Sequence, residues 1–161
     1  MPSILIVANM YPSEKLKSNG VFIRNAEIGL QKLGFDVDKV TLKRNGMLLP
    51  YRYTIFYLQV LSRLFTKSYD VIYAHYPSHV ALPLLIVKLF RKLTIVTHVH
   101  GSDVVCEENV GSSFCFAKQL LSRQLLIRSR AVVVPSVYYK KIITSPPFNV
   151  VSSEVTVSAS G

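Results

Sequence analysis

A chain of 161 residues fits a single hydrophobic core, and with half of its residues apolar and 17% charged it carries too much core-forming material for a disordered segment. Nineteen Lys and Arg against nine Asp and Glu give a formal charge of +10, which favours an anionic partner such as phosphate groups, nucleic acid or an acidic membrane surface. The apolar runs Ile4 to Ala8 and Val80 to Val87 fall far short of the ~20 residues that cross a bilayer, so no spanning helix is expected.

Ser3 to Ala8 is a continuous Ile, Leu and Val run without alternation, which suits a strand buried on both faces of a parallel sheet. A turn follows at Tyr11-Pro12-Ser13. Ile23, Ala26, Leu30 and Leu33 then recur at helical spacing from Val21, and Gly34 is the residue helices favour just past their end. Phe35 to Leu42 reads as a second strand. A longer helix runs from about Tyr53 through Tyr57, Val60, Leu61 and Leu64, with Gln59, Arg63 and Lys67 opposite.

Tyr69 to His75 reads as a third strand, and Ala81 to Arg91 as a helix apolar on nearly every side, buried or packed against a partner, with Pro83 in its first turn. Leu93 to His100 is the next strand. Ser112 is placed to cap a helix reaching Arg130, Ala131 to Val134 forms a short strand ending at Pro135, and Ser136 is placed to cap the helix after it. Pro146-Pro147 breaks the chain, and Val155 and Val157 mark a last strand. Strands alternating with helices imply right-handed crossovers and a mainly parallel sheet covered on both faces, a Rossmann-like three-layer α/β domain over residues 1 to 161. In such sheets ligands bind beyond the carboxyl ends of the strands.

Three segments stand at those ends. After the first strand, Lys17-Ser18-Asn19-Gly20 precedes a helix, where backbone N–H groups and the helix dipole welcome phosphate; Gly20 either serves that or opens the turn. After the third strand stand His75-Tyr76-Pro77-Ser78-His79. They either line the crevice or begin a helix, with Ser78 as its cap and His79 solvated. The fourth strand ends in Thr97-His98-Val99-His100-Gly101-Ser102-Asp103. A period of two puts His98 and His100 on one face, His98 suited to a hydrogen bond in the core and His100 to the loop. Gly101 permits close backbone approach, and Ser102 and Asp103 add polar groups for a sugar hydroxyl or phosphate. No histidine follows His100 and carboxylates are sparse in the second half, so a metal site is not expected. Cys106 and Cys115 stand at neither metal-ligand nor CxxC spacing and read as reduced, structural thiols. With an amino terminus that opens on a strand-like run instead of a basic leader, the chain reads as cytoplasmic.

These segments resemble the amino-terminal domain of the retaining, group one glycosyltransferases of GT-B fold. The likeness rests on Ile4 to Pro12 with Asn19-Gly20-Val21-Phe22, on Tyr69 to His75, on Thr97 to Asp103 and on Ala131 to Ser136. It implies the acceptor-side half of a nucleotide-sugar-dependent enzyme whose donor-binding, carboxy-terminal domain lies outside this chain. Gly20, with Asn19, would then approach the donor diphosphate, and His100 would lie beside the transferred sugar. Asp103, Gly101, Ser102 and His75 complete the expected contacts. The nucleotide sugar acts as co-substrate, with no cofactor and no metal, and the acceptor is a glycan or lipid-linked glycan in cell-surface polysaccharide or glycolipid synthesis. Lys43, Arg44, Arg52, Arg63, Lys67, Lys88, Arg91 and Lys92, with the aromatic stretch from Tyr51 to Phe65, either face an anionic leaflet or form the solvated side of an ordinary core helix. Two other classes stay open. A non-catalytic nucleotide- or nucleic-acid-binding α/β module would use the charge, though no recognition-helix or ribonucleoprotein motif accompanies it and no nucleic acid is expected. A metal-dependent hydrolase would use His98 and His100.

Overall fold

A computed structural model describes residues 1–14, 17–43, 46–105, 111–151 and 154–158, with the backbone but not the side chain of Ser112. Expectations on Arg44, Cys106 and 159–161 lie outside the described residues. In chain order the elements are β1 (Ser3–Ala8), α1 (Val21–Lys32), β2 (Asp36–Thr41), α2 (Leu49–Thr66), β3 (Val71–His75), α3 (Pro77–Phe90), β4 (Ile95–His98), α4 (Ser112–Leu126), β5 (Ala131–Val134), α5 (Val137–Thr144) and β6 (Val155–Val157).

The strands form one six-stranded sheet in the order β2-β1-β3-β4-β5-β6, and every described pairing is parallel. This is the three-layer Rossmann-like architecture expected. Apolar runs without alternation make it so: Leu5 and Val7 point into a core shared with Phe56, Val60 and Leu64 of α2 and Leu84 of α3, while Ile6 and Ala8 point the other way, onto Ile23 of α1. A third cluster, with Val132, Val134, Ile143, Phe148 and Val155, closes the β5–β6 end. The chain leaves β1 for β2 on one side and returns to β3 on the other, so the strand order reverses between β1 and β3. Their carboxyl ends flank the crevice where such sheets take ligands.

Several boundaries move. The second helix starts at Leu49, with Pro50 in its first turn, four residues before the expected Tyr53, and α4 stops at Leu126, short of Arg130. Gly111, not Ser112, is the cap of α4. Ser136 does occupy the α5 cap position, without a side-chain cap bond among the described residues. The apolar α3 is not wholly buried, since Leu89 and Phe90 are 80% and 73% exposed. Cys115 is disulfide-bonded, which corrects the expectation of a reduced thiol. Spacing that excludes metal ligation and a CxxC pair says nothing against a plain bridge.

Candidate functional site

The crevice is built from three turns. Gly20 caps α1 in the left-handed region at φ 74°, and a Cβ there would lie 3.2 Å from both Met10 Cγ and Tyr11 Cα. The turn therefore needs glycine for its own geometry, whatever else it binds. The loop it closes is pinned by Tyr11, whose hydroxyl donates to Glu27 Oε2 at 2.5 Å, and by Lys39 Nζ, which donates to Glu27 Oε1 at 2.7 Å. Among the described residues no side chain caps α1, and its first turn holds no acidic residue.

The second turn corrects the expected helix start after β3. The helix begins at Pro77, not Ala81, and its cap is Tyr76 at φ 60° and ψ 72°, a conformation that costs a non-glycine residue of order 1–3 kcal/mol. Ser78 is not the cap; it is buried and its Oγ donates to Asp103 Oδ1 at 3.2 Å. Nor is His79 simply solvated, because its Nδ1 lies 2.7 Å from Tyr53 Oη.

In the third turn, β4 ends at His98, two residues early, because the chain bends to place Gly101 at φ 108°. An added Cβ at Gly101 would meet Tyr139 Oη at 2.5 Å. Asp103 holds this loop. Its Oδ2 accepts the His100 N–H at 3.0 Å, and its own carbonyl accepts Ser122 Oγ at 2.9 Å. Burial raises the Asp103 carboxyl to about 6, against the pull of its hydrogen bonds from His100 and Ser78. Ser102 stays exposed.

Six rings assemble where these turns meet: His75, His98, His100, Tyr76, Phe22 and Tyr73. His75 and His98 sit at equal register on β3 and β4, and the imidazoles of His98 and His100 stack at 4.4 Å, so the two do share a face. Tyr76 stacks on His100 at 4.4 Å, and Phe22 approaches the same ring at 4.4 Å. Because Phe22 follows Gly20 by two residues, it brings the first turn to His100. Nδ1 of His75 lies 3.0 Å from Nε2 of His100, and Tyr73 Oη lies 3.0 Å from Nδ1 of His98. Nε2 of His75 is buried with no hydrogen-bond partner among the described residues, as is Oδ1 of Asn9 at the end of β1.

Burial keeps all three imidazoles neutral. It lowers His98 to about 4; His100 falls to about 3 through burial and then the charge of His98; His75 falls well below its ordinary value through burial, then His100 and His98. Burial also raises the Tyr73 hydroxyl to about 12, so it stays protonated and can donate or accept.

Of the sequence-selected residues, His75, His100, Gly101 and Asp103 converge, and Gly20 is linked to them through Phe22, whose ring meets His100. Asn19 turns instead toward a cleft of about 220 Å³ lined with Met10, Tyr11, Thr41 and Lys43. Tyr76 is among the residues the sequence offers as crevice-lining, whereas Tyr73, Phe22 and Asn9 carry no signal of their own beyond their segments: Asn9 and Phe22 flank the glycine loop, and Tyr73 precedes His75 by two residues.

No protein-family model matches the chain, and no curated protein sequence matches it. Solved structures do match in fold. UDP-GlcNAc 2-epimerase from Methanocaldococcus jannaschii aligns at TM-score 0.64 and 10% identity, over 96% of this chain and 45% of the epimerase. A second UDP-N-acetylglucosamine 2-epimerase aligns at 0.62 and 9%, over 98% and 48%, and a pyridoxal kinase from Lactobacillus plantarum at 0.54 and 10%, over 91% and 54%. The chain thus spans about half the length of these structures. Its fold is that of the GT-B-like Rossmann domain in the epimerases.

Proposed function

We propose that this chain is the acceptor-side domain of a nucleotide-sugar-dependent, retaining glycosyltransferase that moves a hexosyl group onto a glycan or lipid-linked acceptor. The observation that carries the reading is the 4.4 Å contact between Phe22 and His100, which joins the Gly20 turn to the His-Gly-Ser-Asp loop at the sheet's switch point. The epimerase likeness supports a sugar-nucleotide enzyme of this fold at the coarser level.

Transfer must stabilise an oxocarbenium-like centre and the charge growing on the departing diphosphate. The uncapped start of α1 at Gly20 offers backbone N–H groups for the diphosphate, with Arg24 exposed one turn on. His100, neutral and half-exposed, can accept from or donate to a sugar hydroxyl. Asp103 is a positioning residue in this scheme: it is 1% exposed, and its oxygens are engaged by His100 N–H and Ser78. The donor nucleotide requires a second domain, and without it the chain is expected to be inactive, because donor and acceptor must be held in near-attack geometry.

In the two-domain enzyme, His100→Ala lowers the rate of labelled-sugar transfer by about 10²–10³-fold, the usual effect of removing one charge-stabilising donor. Asp103→Asn, which keeps a buried acceptor for His100 N–H, loses less. Unchanged turnover in His100→Ala would remove this histidine from the site. We also place the anionic face of a membrane among the partners of the basic surface.

A further inference from the structure

We infer that His75, His98 and His100 form a binding site for one divalent transition-metal ion of the zinc class, with a coordination position open toward the crevice. The expectation of no metal counted ligands along the chain after His100, whereas the third ligand comes from the neighbouring strand. One ligand atom from each of the three lies within 4.8 Å of the others. The 3.0 Å between His75 Nδ1 and His100 Nε2 is close to the roughly 3.3 Å that separates two nitrogens on one tetrahedral zinc at ~2.05 Å bonds. Three imidazoles without a carboxylate suit zinc, copper or nickel and not magnesium or calcium.

The surroundings are those of a held ligand set. Tyr73 Oη lies 3.0 Å from His98 Nδ1 and, as the acceptor of its N–H, would leave Nε2 bare for the ion, the role an outer partner plays at metal sites. Asp103 anchors the backbone of His100, and strand pairing fixes His75 opposite His98. His75 and His98 are buried and His100 only half so, which puts the open position on the crevice side, where a hydroxyl, phosphate or water oxygen can complete the shell.

The inference stands apart from the glycosyl-transfer reading, which uses no metal. A bound ion would take up the His100 nitrogen that transfer needs, so zinc would inhibit that reaction, not support it.

The chain's fourth histidine supplies the control, since His79 pairs with Tyr53 outside the cluster. The 161-residue protein, stripped with chelator and titrated with Co²⁺, is expected to bind one ion, with the visible absorption of nitrogen-ligated cobalt, displaced by Zn²⁺. His75→Ala, His98→Ala and His100→Ala should each weaken binding by more than about 100-fold, beyond the loss of an outer-sphere partner, while His79→Ala binds as the parent does. Folding of each variant is followed by circular dichroism, and the parent alone gives an independent reading because Zn²⁺ binding to the folded state raises its melting temperature. No cobalt spectrum and no zinc-dependent shift in the folded parent would overturn the site, as would equal loss of binding in His79→Ala.

Discussion

At Gly101 two demands meet, and they can be measured apart. Its φ of 108° strains any L side chain, and the space where a Cβ would sit is taken by Tyr139. Gly34 has a similar φ of 85° but no described atom within 4 Å of its added Cβ. Gly34→Ala should therefore cost only the backbone term, about 1–2 kcal/mol. Gly101→Ala should cost more, because the Tyr139 ring must also move. In a double-mutant cycle with Tyr139→Ala, read from urea midpoints, the excess should vanish and leave the two glycines alike. An excess that persists would mean that the loop, and not the tyrosine, resists the side chain. The glycine was legible in the sequence as a place of close approach, but what approaches it was not: Tyr139 lies thirty-eight residues on, in α5, and no local pattern couples the two.

Between elements, the β2–α2 junction holds a charge cluster whose effect can be read through pH. Asp38 on β2 accepts from Tyr69 Oη at 2.6 Å and from Lys67 Nζ at 2.9 Å, with Arg63 Nη1 at 3.6 Å. The Tyr69 hydrogen bond, then that of Lys67, holds its carboxyl below the ordinary 3.8, over a smaller opposing effect of burial. A depressed folded-state value means stability that is present above the unfolded value and lost as pH falls through the folded one. The stability difference between the parent and Asp38→Asn should thus be constant from neutral pH down to about 5 and shrink at more acid pH. Urea midpoints across that range check it, and a difference that grows on acidification would show the sign to be wrong. Helical periodicity had placed Arg63 and Lys67 on the polar face of α2, but not opposite an aspartate on another element, since periodicity orients a helix without naming its neighbour.

Across the whole molecule, the parallel sheet was legible because Ile4 to Ala8 and Ala131 to Val134, in inner strands, are apolar runs without alternation, and the crevice because ligands gather where strand order reverses. The histidine cluster was half legible. A period of two joined His98 to His100, but His75 joins them only through the β3–β4 register, which a linear pattern does not carry. Net charge was read correctly in sign, yet the fold redistributes it. Arg63 and Lys67 bridge to Asp38, Arg91 hydrogen-bonds the Leu64 carbonyl and Ser68, and Lys88 reaches the Leu93 carbonyl. Beside them, Phe65 of α2 and Phe90 of α3 pair at 6.3 Å while 50% and 73% exposed, next to Leu89 and the exposed Lys92. No described helix is long and apolar enough to cross a membrane. A surface of this kind would hold an anionic leaflet through apolar side chains as well as charge. Its binding to anionic vesicles should then survive partial screening by salt, whereas attraction through charge alone falls off within a Debye length. Burying Leu89 and Phe90 is worth about 1.5–3 kcal/mol each, so Leu89→Glu with Phe90→Glu should weaken cosedimentation at least ~10-fold at fixed salt. Equal binding by the double variant would reduce the contact to non-specific charge attraction, and no pelleting with anionic vesicles even at low salt would remove the membrane from the partners of this surface.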